Sequence, residues 1–302
     1  MDNKNNLKGY LFAFIVVLLW GFLPIALKVA TNVLTPIEIV WGRFSVAFLG
    51  LFFYNFYYDK NNVKILFKPP LLLIVSGIFL LVNYYGFMLG IHLTGPSVSQ
   101  IFIQLGPIML AISGFIVFKE ALTKRKIVGL ILVFLGLFIF YKENLNHLLT
   151  GISVFNKGII ALIIGASSWT IYSFLQKILV KKTSPLKANM IIFLVPTILL
   201  LPFIDIKHFT ALTIPYLLLL LFLGLNTLIS YISLSLALKY TEANKVSVII
   251  ILNPILTFVT MYILSNIRVS WIPPEHYTFI TLMGAFMVIV GAILTIMSNF
   301  KK

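Results

Sequence analysis

Long apolar stretches alternate with short polar segments along all 302 residues of the chain. Most stretches contain about 20 residues, the length that an α-helix needs to cross the hydrocarbon core of a bilayer. The fifth is shorter, but a crossing there keeps the following polar segments on consistent sides. The pattern therefore predicts an all-α membrane protein with ten transmembrane helices. The predicted spans cover residues 9–30, 36–56, 69–90, 96–118, 127–141, 158–179, 185–204, 212–238, 246–264 and 277–297.

The composition excludes most other classes of protein. Apolar residues make up 60% of the chain and charged residues 10%, and the mean hydropathy is +1.06. Soluble domains are about 45–50% apolar and about 25% charged. A soluble enzyme, a disordered chain and a sizeable soluble domain beside the spans are all inconsistent with these values.

Lysine and arginine are distributed unequally between the two sets of loops. If the N-terminus is cytoplasmic, the inner loops and tails hold sixteen of these residues and the outer loops hold four. Because cytoplasmic loops carry the excess of positive charge, we predict a multi-pass inner-membrane protein with both termini cytoplasmic. The loops at Lys64 and Lys124 are then inside and the loop at His147 is outside. The net charge of +15 reflects this topology, and no nucleic-acid partner is expected.

The two halves of the sequence resemble each other. The matched residues, at shifts of 149, 147 and 155 positions in turn, are Gly9 with Gly158, Trp20 with Trp169, Lys28 with Lys177, Pro36 with Pro185, Gly77 with Gly224, Tyr84 with Tyr231, Thr94 with Thr241, Pro107 with Pro254, Gly129 with Gly284 and Gly136 with Gly291. The last change of shift places an insertion of about eight residues near 266–277. We predict two five-helix repeats, 1–150 and 151–302. An odd number of helices per repeat gives the two opposite orientations, as in secondary transporters.

Short motifs in the first half are similar to those of a known family. They are Trp20-Gly21-x-x-Pro24, Arg43-Phe44, Gln104-Leu105-Gly106-Pro107, Phe118-Lys119-Glu120 and the pair Gly129 and Gly136. With the ten spans and the repeat, they resemble the EamA type of the drug/metabolite transporter superfamily. The resemblance implies an inner-membrane carrier of small metabolites, often an exporter of amino acids or related compounds. The second half departs from the pattern, with Asn266-Ile267 in place of Lys119-Glu120.

The sequence lacks the motifs of the enzyme classes that could reside in a membrane. It contains no cysteine, no H-E-x-x-H and no P-loop Gly-Lys-Ser/Thr, so thiol catalysis, this class of zinc site and ATP-driven pumping by this chain alone are excluded. We expect no enzymatic activity, no cofactor and no metal. The expected partners are a small-molecule substrate and the lipid bilayer.

Polar and aromatic residues recur at mid-span positions in both halves. Polar side chains facing lipid would leave their hydrogen bonds unmade, so these residues should face the bundle interior. The candidate substrate-binding residues are Trp20, Tyr84, Gln100, Gln104, Trp169, Tyr172, Tyr231 and Asn253. Helix-to-helix hydrogen bonding and packing are the alternative roles. Such an uncharged lining suits a neutral or zwitterionic molecule with an apolar part.

Two further features bear on this site. Pro107 and Pro254 each remove a backbone donor and favour a bend that lines a cavity. Arg43 lies about 10 Å into the second helix, counted at about 1.5 Å per residue, and we interpret it as too near the outer end for the site. It would form an outer charge cluster with Glu38 and Lys28, the alternative being the binding of an anion or carboxylate.

The preferred function is a secondary transporter that exports small metabolites, such as amino acids or related amphipathic compounds, by alternating access. Two alternatives stay open. One is a membrane receptor or scaffold that does not transport, and the other is a carrier for the uptake of a nucleotide-like or sugar metabolite.

Overall fold

The computed structural model describes residues 3–118, 124–147, 152–241 and 243–297. Within these ranges the protein is helical and contains no β-strand. The α-helices are α1 Asn3–Ala30, α2 Pro36–Tyr58, α3 Lys60–Val63, α4 Leu71–Thr94, α5 Pro96–Phe102, α6 Leu105–Phe118, α7 Lys124–His147, α8 Ile152–Leu179, α9 Pro185–Leu200, α10 Ile206–Thr210, α11 Ile214–Tyr240, α12 Ala243–Ile250, α13 Asn253–Asn266 and α14 Phe279–Met297. Lys119-Glu120 of the sequence motif and the side chain of His147 lie outside the described residues.

Seven of the described helices are long and apolar enough to cross a membrane, namely α1, α2, α4, α7, α8, α9 and α11. The other three predicted spans differ from single long helices. The fourth and the ninth are each divided into two shorter helices, and the tenth contains a described apolar helix of 16 residues, Phe279–Leu294. The all-helical membrane architecture is therefore confirmed, while the number of ten crossings stays a prediction.

Both divided spans break just before a proline. The fourth span breaks at residues 103–104 and the ninth at 251–252. Proline cannot donate to the carbonyl four residues earlier, and its ring clashes with that carbonyl. For Pro107 this carbonyl belongs to Ile103, and it accepts a hydrogen bond from the Gly106 amide at 2.9 Å instead. Ser97 and Gln100 therefore lie on α5, whereas Gln104 lies in the break and Pro107 on α6, so these four residues do not share one continuous helix.

The helices of the first half pack against those of the second half in the same way as their counterparts do. Helix α1 packs on α11 as α4 packs on α8, and α2 packs on α11 as α9 packs on α4. Helices α2 and α9 pack on each other, and so do α7 and α14. Replacing each helix by its counterpart in the other half turns every one of these helix pairs into another pair of the set or leaves it unchanged. The internal repeat is therefore a property of the packing as well as of the sequence.

Individual contacts repeat in the same way. Gly9 lies against Thr241 and its counterpart Gly158 lies against Thr94, each with no room for a Cβ. The Lys28 ammonium group donates to the carbonyl oxygens of Ile91 and His92, at 3.4 and 3.1 Å. The corresponding Lys177 donates to Leu238 and Thr241, at 3.0 and 2.9 Å. The two lysines bind the helix carbonyls at the ends of α4 and α11, where positive charge is favourable.

Candidate functional site

A cavity lies where the two halves meet, beside the broken end of α5 and the start of α13. Its described lining combines aromatic rings, four side-chain amides and one charged side chain. The centre of a water-sized sphere can move through about 60 Å³ of this cavity. By the same measure, one water molecule needs about 10–15 Å³. The cavity therefore has room for several water molecules or a molecule of comparable size. The lining residues are Trp20, Leu23, Arg43, Asn83, Tyr84, Phe87, Gln100, Ile103, Gln104, Pro107, Trp169, Tyr231, Ile250 and Asn253.

The aromatic residues form one connected group. Trp20 packs edge-on against Trp169, with 6.3 Å between ring centroids, and lies 5.5 Å from the ring of Tyr231. Tyr231 also contacts Tyr84 at 5.6 Å and Tyr172 at 5.7 Å. Because the two tryptophans and two of the tyrosines come from opposite halves, the repeat itself builds this aromatic wall.

Two amides connect the halves at the helix breaks. The Gln104 amide nitrogen donates to the Asn253 side-chain oxygen at 2.7 Å. The side-chain oxygen of Gln104 is buried and has no hydrogen-bond partner in the described part of the chain. A buried acceptor without a donor costs about 1–3 kcal/mol. Within the described residues, the Gln104 amide therefore links the two halves through its nitrogen alone.

Seven of the eight predicted site residues line this single cavity. Tyr172 does not line it, and it lies buried behind Tyr231. Gln100 contributes to the lining and also donates to the Trp20 carbonyl at 3.4 Å. Gathering in one place is what a binding site requires, but substrate binding by these residues stays a prediction.

Arg43 was misplaced by the sequence interpretation. Its side chain is 2% exposed and lines the cavity with Trp20 and Tyr84. Counting residues along the helix gave the depth of its Cα, whereas the long side chain carries the guanidinium group further. A usable signal was present, because residues five apart on a helix do not face each other, so Glu38 was a poor partner for Arg43.

The expected outer charge cluster is not formed. Glu38 closes a capping box at the start of α2, accepting from the Thr35 amide at 2.8 Å. Its other oxygen contacts the His208 ring nitrogen at 2.7 Å. This hydrogen bond raises the pKa of His208 above its ordinary value. Both oxygens of Glu38 are thus bound by Thr35 and His208. Arg43 does not pair with Glu38 and instead lines the cavity.

The segment between α13 and α14, where the insertion was located, lies against the start of α5. Glu275 accepts a hydrogen bond from the Ser97 amide at 3.2 Å and another from the Tyr277 hydroxyl at 2.6 Å. Burial raises the pKa of the Glu275 carboxyl group. Sequence reasoning missed this contact, because no helical periodicity connects a loop to a helix 178 positions away.

Among the described residues, no group of three or more histidine, aspartate or glutamate side chains is arranged to hold a metal ion. The described residues of the cavity lining carry aromatic rings, amides and one guanidinium group. Such a lining binds a small molecule by stacking, hydrogen bonding and charge.

Comparison with known proteins agrees with this architecture. The EamA-like transporter family matches residues 7–142 and again residues 156–297. The chain belongs to the EamA-like transporter family. The two matches correspond to the two halves that the packing relates, and together they extend over most of the chain.

Two bacterial transporters are similar to this chain over nearly their whole length. An uncharacterized transporter of Haemophilus influenzae is 32% identical over 295 residues, covering 97% of this chain and 95% of its own. The uncharacterized inner membrane transporter YhbE of Escherichia coli K12 is 29% identical over 287 residues, covering 94% and 89%. A crystal structure with 14% identity has a TM-score of 0.68 and covers 97% of this chain and 99% of that chain. This last similarity shows the shared fold.

Proposed function

We propose that this EamA-like protein is a secondary transporter that exports small metabolites, such as amino acids or related amphipathic compounds, across the inner membrane. The observation that carries the proposal is the cavity at the junction of the two halves, lined by matched residues of both. In secondary transporters built from repeats, the substrate site lies at the repeat interface.

The arrangement of the helices supports alternating access as the mechanism. The two breaks, at 103–104 and 251–252, both border the cavity, since Gln104 and Asn253 line it. Discontinuous helices beside the site are a recurring feature of such transporters. We propose that the broken fourth and ninth segments and α14 also cross the membrane. This gives ten crossings in two inverted five-helix repeats, with boundaries near residue 150.

The topology yields a labelling prediction. Lys64 and Lys207 are both exposed and lie in the connections between long apolar helices. The sequence places the first inside and the second outside. Because the native chain has no cysteine, Lys64→Cys and Lys207→Cys each introduce a single thiol. In intact cells, a membrane-impermeant maleimide should label only the cysteine at 207. Labelling of position 64 alone would show that the orientation is reversed.

The transport proposal is tested by comparing metabolites inside and outside cells that produce the protein or lack it. Export predicts that at least one small metabolite accumulates outside only when the protein is present. Its flux should then be reproduced with the purified chain in proteoliposomes. Unchanged metabolites on both sides, at normal levels of inserted protein, would favour the receptor or scaffold alternative.

A further inference from the structure

Among the described residues that line the cavity, only Arg43 carries a formal charge. Its side chain is almost fully buried, at 2% exposure. A charge removed from water is costly unless an opposite charge or several hydrogen bonds compensate for it. The interactions of this guanidinium group therefore show whether the protein itself supplies that compensation.

The protein compensates for this charge only in part. The Nε atom of Arg43 donates to the Thr227 hydroxyl at 3.1 Å. The guanidinium carbon lies 4.3 Å from the centroid of the Tyr84 ring, a cation–π contact. Across the described ranges, no carboxylate pairs with Arg43 and its two terminal nitrogens have no hydrogen-bond partner. Two parallel N–H donors thus stay available at the cavity wall.

These contacts hold the guanidinium plane in place before any ligand arrives. Thr227 fixes its inner edge, and Tyr84 packs on its face. A planar guanidinium with free terminal nitrogens matches the two oxygens of a carboxylate, which it binds with two parallel hydrogen bonds. We propose that Arg43 is the carboxylate-binding subsite of this cavity, and that the ligand is a small monocarboxylate.

Charge balance favours a carboxylate over a phosphate ester. One carboxylate neutralises the single positive charge of the cavity, whereas a doubly charged phosphate would leave a negative charge buried without a partner. The rest of the lining suits the remainder of such a molecule. The rings of Trp20 and Trp169 offer apolar surface. A monocarboxylate with an apolar side chain has both of these parts.

This inference rests on the proposed function for its biological meaning, but its test measures binding alone. The purified full-length chain in lipid nanodiscs is titrated with a panel of monocarboxylates and their primary amides. The panel contains the apolar amino acids, 3-phenylpropionate and short fatty acids. Tryptophan fluorescence is the signal, since Trp20 and Trp169 line the cavity. We expect at least one carboxylate to bind and its amide to bind at least about tenfold more weakly.

Variants identify the group responsible. Arg43→Gln should weaken binding of that carboxylate by about tenfold or more, and Arg43→Lys should retain part of it, because lysine keeps the charge without the fork. Arg268→Gln is the matched control, since Arg268 is an exposed loop residue. Size-exclusion profiles and thermal unfolding establish that each variant is folded. If Arg43→Gln does not fold, the carboxylate–amide comparison on the native chain and Arg43→Lys still decide the question.

Three results would overturn the subsite: no carboxylate of the panel binds, amides bind as tightly as acids, or folded Arg43→Gln keeps its affinity. The proposed function fails separately. Arg43-dependent binding without flux would reject transport and keep the subsite, whereas transport of a molecule without a carboxylate would keep transport and reject the subsite.

Discussion

Gln104→Ala is expected to lower the flux of the transported metabolite by about tenfold or more. The substitution removes the 2.7 Å hydrogen bond to Asn253 and the side-chain amide of a residue that lines the cavity. Losing one partner of a buried hydrogen bond costs about 1–3 kcal/mol, and about 1.4 kcal/mol corresponds to a factor of ten. Initial rates of flux in proteoliposomes, at matched amounts of inserted protein, measure the effect.

The control for this experiment is Ile131→Ala on α7, because Ile131 is 53% exposed and lies away from the cavity. Its flux should stay close to that of the native chain. Trp20→Ala and Trp169→Ala remove the two rings of the aromatic wall and should also reduce flux. Full flux and unchanged affinity in all three cavity variants would show that the substrate binds elsewhere.

The helices could be predicted from the sequence because their signal is local. A run of about 20 apolar residues needs no tertiary information to be recognised, and α1, α2 and α8 lie where the hydropathy pattern places them. The helix breaks were less evident, although the physical rule was available. Proline disrupts the helix at the carbonyl four residues earlier, so Pro107 indicates a break near Ile103, where the structure has it.

Some of the residues that line the cavity could be predicted from the sequence and others could not. The difference depends on whether a residue's position is set by its own chemistry or by distant contacts. Trp20, Gln104 and Trp169 were identifiable because a polar or amphipathic residue at mid-span must face the protein interior. The position of Arg43 depends on contacts with Tyr84 and Thr227, which lie 41 and 184 positions away in the chain. No local pattern contains such contacts. The contact of Glu275 with Ser97 was beyond sequence reasoning for the same reason.

A close backbone approach between two long helices gives a large expected effect on stability. Gly86 of α4 lies against α8 so closely that an added Cβ would be 2.5 Å from the Ala161 carbonyl oxygen and 3.1 Å from the Cα of Gly165. Both obstacles are backbone atoms, which cannot rotate away as a side chain can. Gly86→Ala should therefore push α4 and α8 apart and destabilise the fold by about 1–3 kcal/mol.

Gly50→Ala on α2 is the matched control for Gly86→Ala. The atom nearest to an added Cβ at Gly50 is Cδ2 of Leu228 at 3.1 Å, the end of a flexible side chain. Alanine is favoured over glycine in a helix by about 1 kcal/mol, so this variant should be as stable as the native chain or slightly more so. Thermal unfolding and size-exclusion profiles in the same detergent compare the two. A backbone-to-backbone contact leaves no room for a methyl group. If both variants are equally stable, α4 and α8 do not pack as closely at Gly86 and Gly165 as the structure has them.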